Sequence, residues 1–356
     1  MKKQKRTVLF MAVLFLGMTL FCWMKPDDDY SVRERRVLAQ MPELNTKNIL
    51  SGKFMSEFEE YALDQFPMRD QFMALYQKTS TTKDQNGLYL ADGHIGKMEY
   101  PMDEKGMERA ANIFKSIQEQ FASENKIYLS IIPDKNAFLG EENGYLALDY
   151  QAFYEKMKEE TGFEYIDIAK FLAIDDYYFT DGHWRQECIV DVAEALATGM
   201  ETSISGTYET ITLDQPFYGA YYGQYVTNLP GDTIQYLSNE VIEDYKVFDY
   251  QNNKDISVYD MEKAYGKDAY EIYLSGPLSL ITIENPACAN GKELIVFRDS
   301  FGSSIMPLLA EGYEKVTMVD IRYVASKQVC QMIDFEGADV LFLYSTLVLN
   351  NAETLK

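Results

Sequence analysis

Glu293-Leu-Ile-Val-Phe-Arg-Asp-Ser-Phe-Gly-Ser-Ser304 is the stretch from which the fold of this 356-residue chain is read. Residues 293–297 form an apolar run of strand length, and residues 301–312 continue with helical spacing, so a strand runs almost directly into a helix. The same rhythm recurs on both sides. Residues 102–125 read as a helix through Met107, Ala110, Phe114, Ile117 and Phe121, followed by a strand over 127–132. A helix over 150–161 precedes a strand over 164–168. A helix over 185–199 places Cys188, Ile189, Val192, Ala193 and Leu196 on one face. Strands over 315–320 and 339–344 flank a helix over 326–334. Five apolar strands alternating with helices predict a parallel sheet covered on both faces, an α/β fold of three layers.

Two regions break the rhythm. Residues 205–290 are rich in Tyr, Thr and Gly, with short β-like runs and no helical period, and are expected to form an inserted β-rich lobe. Upstream, residues 52–63 and 67–79 are amphipathic, with Phe54, Met55, Phe58, Tyr61 and Ala62 at helical spacing. Residues 86–100 read as a hairpin around Asp92-Gly93, which places His94 beside an exposed turn. No internal repeat is found.

Charge narrows the range of functions. Lys+Arg 33 against Asp+Glu 56 gives −23. Residues 1–25 hold five cations (Lys2, Lys3, Lys5, Arg6 and Lys25) and no acid, which leaves 28 cations against 56 acids downstream, a net −28. Such a body repels phosphate backbones, so nucleic acid is not an expected partner. The 14% aromatic content marks a folding sequence rather than a disordered acidic one.

The cations at 2–6 precede 18 uncharged residues, 7–24, at the lower end of what spans about 30 Å of hydrocarbon. Cationic flanks stay in the cytosol, so the expectation is a single-pass cell-membrane anchor with the body on the extracytoplasmic side. A cleaved signal peptide and a secreted protein are the alternative. Against cleavage, Phe21, Cys22, Trp23 and Met24 offer no small-x-small motif. Residues 1–25 are thus a tail and anchor, 26–50 a charged stalk, and 51–350 the main domain. Cys188, Cys288 and Cys330 are too few and too irregular for a disulfide framework, and no CxxC metal pair exists.

With only two histidines, imidazole chemistry must use His94 or His183. Ligands in open α/β sheets gather beyond the carboxyl ends of the strands. Two segments leave that edge. Arg298-Asp-Ser-Phe-Gly302 turns from strand to helix, which exposes the Ser300 hydroxyl beside the free N–H groups of a helix start. Ser and Asp are also preferred helix caps, and read alone this segment favours a cap. Thr180-Asp-Gly-His-Trp184 follows the strand over 164–168. Asp181 can orient His183, which a weakly nucleophilic serine requires as its base. Read alone, Asp-x-His is a weak motif and favours a solvated loop. A metal reading of Asp181 and His183 lacks further ligands nearby.

Together these two segments resemble the bacterial DHHW family, related to the alginate O-acetyltransferase group of the SGNH-hydrolase-like fold. Supporting fragments are Ser31-Val-Arg-Glu-Arg-Arg-Val-Leu-Ala39, Ile131-Ile-Pro-Asp-Lys135 and Asp320-Ile-Arg-Tyr323, in order along residues 30–350. The resemblance implies Ser300 as nucleophile, His183 as base and Asp181 as its orienter. It departs at Gly182, where the family name implies a second histidine. No second oxyanion donor is evident. Trp184, Arg298, Lys135, Asn136, Arg322 and Tyr323 are the candidate substrate contacts, with packing at the sheet edge as the competing role for each.

The implied function is an extracytoplasmic O-acetyltransferase that passes an acyl group to hydroxyls of an exported or cell-wall polysaccharide. It requires neither metal nor bound cofactor, and a multispanning membrane acyltransferase would supply the acyl group. A carbohydrate esterase with the same triad and a non-catalytic wall-polymer binding or scaffold protein are the alternatives.

Overall fold

A computed structural model describes residues 2–31, 36–69, 71–72, 87–225, 227 and 229–356. They divide into two units, Met1–Lys83 with Tyr222–Asn228, and Asp84–Tyr221 with Leu229–Lys356.

In the first unit, helix α1 (Lys2–Met24) covers the uncharged stretch. Among the described residues no helix is long and apolar enough to cross a membrane, so the anchor rests on the sequence alone. Helix α2 (Lys53–Asp64) matches the expected 52–63. Just beyond it, buried Gln65 accepts from the Asp28 amide (2.9 Å) and donates to Asp28 O and Ala39 O, tying part of the expected stalk to the helix. Of the second amphipathic stretch, 67–79, positions 70 and 73–79 lie outside the described residues.

The second unit is built on one eight-stranded sheet. In chain order its strands are β1 (Ile127–Ile132), β2 (Glu164–Tyr165), β3 (Lys246–Asp249), β4 (Lys254–Ile256), β5 (Leu280–Glu284), β6 (Glu293–Arg298), β7 (Lys315–Val319) and β8 (Asp339–Ser345). Their spatial order is β4-β3-β5-β7-β6-β8-β1-β2. All five expected strands are present, and β7, β6, β8, β1 and β2 pair parallel throughout. The sheet as a whole is mixed, because the segment expected to stand apart as a β-rich lobe contributes β3, β4 and β5, which pair antiparallel. The rest of that segment includes a ribbon of Glu209–Phe217 against Asp232–Ser238.

Period-two alternation distributes the apolar side chains between two cores. Ile127, Leu129, Ile131, Val340 and Phe342 pack with helices α3 (Glu104–Phe121) and α4 (Tyr150–Thr161) through Phe114, Ile117, Phe153 and Met157. Tyr128, Ile132, Leu341 and Leu343 face the other way, onto α5 (Val190–Gly199) and α6 (Gly302–Leu309) through Val192, Leu196, Ile305 and Leu309. Helices on both faces of a sheet give the three-layer architecture.

Phe342 lies within 5.5 Å (ring centroids) of Phe114, Phe163 and Phe297, so truncating it leaves a cavity at the centre of one core. Phe342→Ala is expected to destabilise the protein by roughly 3–5 kcal/mol, read from urea unfolding midpoints.

Candidate active site

Because the five strands are parallel, their carboxyl ends share one edge, and the loops leaving that edge meet there. After β6, Asp299 and Ser300 make the turn into α6. Asp299 is buried, and each carboxylate oxygen accepts one amide: Oδ1 from Phe301 (3.0 Å) and Oδ2 from Ser345 (2.7 Å) at the end of β8. One side chain thus fixes the turn and ties it to the neighbouring strand, leaving Ser300 half-buried at the rim.

The second segment folds on itself. Tyr177 and Trp184 form an antiparallel bridge, and the Tyr178 amide donates to His183 O (3.1 Å), closing 178–183 into a tight loop. Asp181 Oδ1 accepts from the His183 amide (3.0 Å), the local turn that an Asp two residues earlier makes. The same oxygen lies 2.5 Å from His183 Nδ1, and His183 Nε2 lies 2.8 Å from Ser300 Oγ. Asp181 is buried and its Oδ2 accepts from the Ala220 amide (2.7 Å). With a carboxylate at Nδ1, that nitrogen carries the proton, and Nε2 is free to accept from the serine hydroxyl. His183 is 22% exposed, so the end of this relay opens to solvent. Asp181, His183 and Ser300, 119 residues apart at the extremes, form one hydrogen-bonded chain.

Several supports of this chain carry no signal in the sequence. Tyr270 stacks on the imidazole (centroids 4.0 Å, planes 14° apart), and its hydroxyl meets Ser304 Oγ at 2.9 Å. Ser304 Oγ also accepts from Trp184 Nε1 at 2.8 Å. Gly219 packs against the loop: a Cβ there would stand 2.3 Å from Asp181 Cβ and 2.5 Å from Thr180 O. In the sequence this region stood out only as part of the Tyr-, Thr- and Gly-rich segment 205–290. Gly182 is less constrained, since a Cβ there would stand 2.8 Å from the Tyr221 hydroxyl, the far end of a side chain.

The other candidate contacts are mostly interior, which corrects the expectation for four of them. Trp184 is 0% exposed and packs edge-on against Phe301. Arg298 is fully buried and pairs with Asp320 at 3.5 Å. Lys135 is 2% exposed, with its ammonium turned onto backbone carbonyls of the 178–183 loop. Asn136 is buried, donates to Leu146 O (3.0 Å) and accepts from the Tyr89 hydroxyl (2.7 Å). Arg322 holds Asp320 with two nitrogens (2.9 and 2.7 Å), which leaves Tyr323, 53% exposed, as the one with most of its ring in solvent. Among the described residues no group of three or more His, Cys, Asp or Glu side chains is arranged to hold a metal ion.

His94 is also not where the turn suggested. It is 1% exposed, its ring lies 4.5 Å from Phe179 of the triad loop, and its Nδ1 has no partner. Burial, with the nearby Lys135 charge, pushes the imidazole down to about 4. Between about pH 4 and the usual 6.5 the unfolded chain therefore binds the extra proton, and stability falls as pH is lowered through that window. Wild type should lose up to about 3 kcal/mol more than His94→Met between pH 7 and pH 4, compared by urea unfolding. At Gly219, the Ala variant should slow reaction of Ser300 with a sulfonyl fluoride by about 100-fold, followed by intact mass, because Asp181 must move.

No family model matches the sequence, and no curated protein matches it. Solved structures do. A DHHW family protein from Eubacterium siraeum DSM 15702 superposes with TM-score 0.59 and 22% identity, over 76% of this chain and 95% of that one. Bacillus cereus PatB1 with a sulfonyl adduct matches with TM-score 0.56 and 18% identity, over 74% and 95%. The O-acetyltransferase domain of Pseudomonas putida AlgJ is more distant, at TM-score 0.45 and 11% identity over 74% and 92%. The chain has the fold of the DHHW family protein and of PatB1.

Proposed function

We propose that this protein is a serine acyltransferase that moves acetyl groups onto hydroxyls of a polysaccharide outside the cytoplasm. The observation that carries this reading is the Asp181–His183–Ser300 hydrogen-bond chain at the carboxyl edge of the sheet. Support also comes from the resemblance in its motifs. The cation-flanked helix at the N-terminus supports a body held on the outer side of a membrane, with a multispanning acyltransferase as the source of acetyl.

In the reaction, Ser300 Oγ attacks the carbonyl carbon of an acetyl ester while its proton passes to His183 Nε2. The imidazolium that forms is held by Asp181, whose carboxylate stays ionised. The Phe301, Gly302 and Ser303 amides are occupied by Asp299 Oδ1, Asp299 O and Ser300 O, which leaves the Ser300 N–H as the amide of this turn for the developing oxyanion. Collapse expels the donor's alkoxide, which takes the proton from Nε2, and leaves acetyl-Ser300. A sugar hydroxyl then gives its proton to Nε2 and takes the acetyl group, restoring Ser300. Water in place of the sugar gives the esterase.

PatB1 with its sulfonyl adduct supplies a probe. A sulfonyl fluoride should modify Ser300, and Ser300→Ala and His183→Gln should each cut acetyl-ester turnover by roughly ten-thousand-fold with melting temperatures near wild type. Asp181→Asn should lower it strongly by holding the wrong tautomer. With an acetyl ester plus a panel of bacterial oligosaccharides, acetylated sugar should form faster than acetate. Acetate release that no glycan diverts would favour the esterase, and glycan binding without turnover the scaffold.

A further inference from the structure

Residues 178–181 carry peptide groups into the interior that the Tyr178 amide on His183 O (3.1 Å) and the Ile95 amide on Phe179 O (2.8 Å) satisfy only in part, and buried peptide groups left unpaired are costly. Two buried side chains satisfy them. From one side, Lys135 Nζ donates to the carbonyls of Tyr178 (2.7 Å), Phe179 (3.2 Å) and Asp181 (3.0 Å). From the other, Asp232 Oδ1 accepts the Phe179 amide (2.7 Å), and its Oδ2 accepts the Thr180 amide (2.8 Å) and the Thr180 hydroxyl. The Thr180 hydroxyl in turn accepts from the Gly219 amide (2.9 Å). Neither side chain touches the reacting atoms, yet Asp181 lies at the end of the stretch they grip.

We propose that Lys135 and Asp232 form a positioning clamp that holds Asp181 and His183 in hydrogen-bonding register with Ser300. The proposal rests on the serine-nucleophile reading given above. Its chemistry is a matter of valence. An ammonium carries three N–H groups and meets three carbonyls, whereas a neutral amine carries two and must release one of them. Lys135 comes from the turn after β1 and Asp232 from the start of the ribbon strand Asp232–Ser238, so the clamp joins the sheet edge to the inserted segment.

The groups facing the Lys135 ammonium are the Asp181 and Asp232 carboxylates, the His94 imidazole and the Tyr221 ring at 5.9 Å. Burial lowers its pKa to about 7 against the pull of Asp181 and Asp232. As pH rises through that value the third donor is lost and the triad loop slackens. Stability moves the other way, because an unfolded lysine still binds its proton above pH 7 while the folded one does not. A rate that falls while the melting temperature holds or rises is a signature that simple unfolding does not produce.

The test uses the full chain and the variants Lys135→Met and Asp232→Asn, the second covering a failure of the first to fold. Three readouts are taken at pH 6: the melting curve, the rate of Ser300 sulfonylation by phenylmethylsulfonyl fluoride, and the downfield proton NMR signal of His183 Nδ1–H, assigned by its loss in His183→Gln. A folded clamp variant should label at least tenfold more slowly and lose or broaden the signal, and with an acetyl ester kcat should fall while KM stays near wild type. In wild type, labelling should decline from pH 7 to 9 without a drop in melting temperature. A folded variant that labels at the wild-type rate and keeps the signal overturns the clamp, and a wild-type rate that does not decline overturns the role of the ammonium. Wild-type Ser300 that never reacts overturns the nucleophile reading instead, and the NMR comparison still decides the clamp.

Discussion

Parallel strands that end along one edge force polar chain ends into a region covered by helices, and in this protein three buried carboxylates answer that constraint. Asp134, at the end of β1, accepts from the Asn136 amide (2.7 Å), the Tyr150 hydroxyl (2.9 Å) and the Thr346 hydroxyl (2.7 Å). Asp299, after β6, accepts two amides. Asp320, after β7, is held by Arg298 and Arg322. An ionised carboxylate buried without such partners would cost several kcal/mol, so each is satisfied, and in being satisfied each ties one loop to the next. Burial still raises Asp134 to about 6 despite its three donors. The site is assembled on this knitted edge.

What was legible in the sequence follows from what sets a local signal. The strand-length apolar runs marked the four central parallel strands, because a strand buried on both faces must be apolar at nearly every position, whereas the edge strand Glu164–Tyr165 is only two residues long, one exposed and one half-buried. Asp181, His183 and Ser300 were legible as residue types at two loops, and their meeting follows from the shared direction of those strands. The three added strands were not. Lys254–Ile256 is a short, largely exposed edge strand, Lys246–Asp249 beside it has only four residues and ends on a buried acid, and Leu280–Glu284 falls inside the Tyr-, Thr- and Gly-rich segment.

The errors over Lys135, Asn136, Trp184 and Arg298 share one cause. A polar or amphipathic residue beside a catalytic motif faces either the substrate or the scaffold, and residue type does not distinguish the two. His94 failed for the same reason, since a turn next to Asp92-Gly93 is exposed only if nothing packs over it, and Phe179 does. Tyr270, Asp232 and Gly219 lie 34 to 87 residues from the motif residues they contact. Each acts through a tertiary contact with no periodic or local trace.

These contacts divide labour between charge and aromatic surface. Of the cations at the strand ends, Lys135 and Arg298 are both fully buried, one committed to three carbonyls and the other to Asp320 and to the carbonyls of Asp299 and Leu278. Their charges are spent on the geometry of the chain. Rings do the remaining work at the imidazole: Tyr270 fixes the plane of His183 from one side, and Phe301 lies 4.9 Å from it at a tilt. Apolar walls around His183 strengthen its hydrogen bonds by excluding water from them, while the exposed end of the ring leaves Ser300 a route to solvent. With Lys135 holding the carbonyls of the 178–183 loop and the two rings flanking the imidazole, His183 is positioned by groups outside the Asp181–His183–Ser300 chain. The chain thereby spends these buried charges where they are compensated and leaves the Ser300 hydroxyl half-buried at the rim.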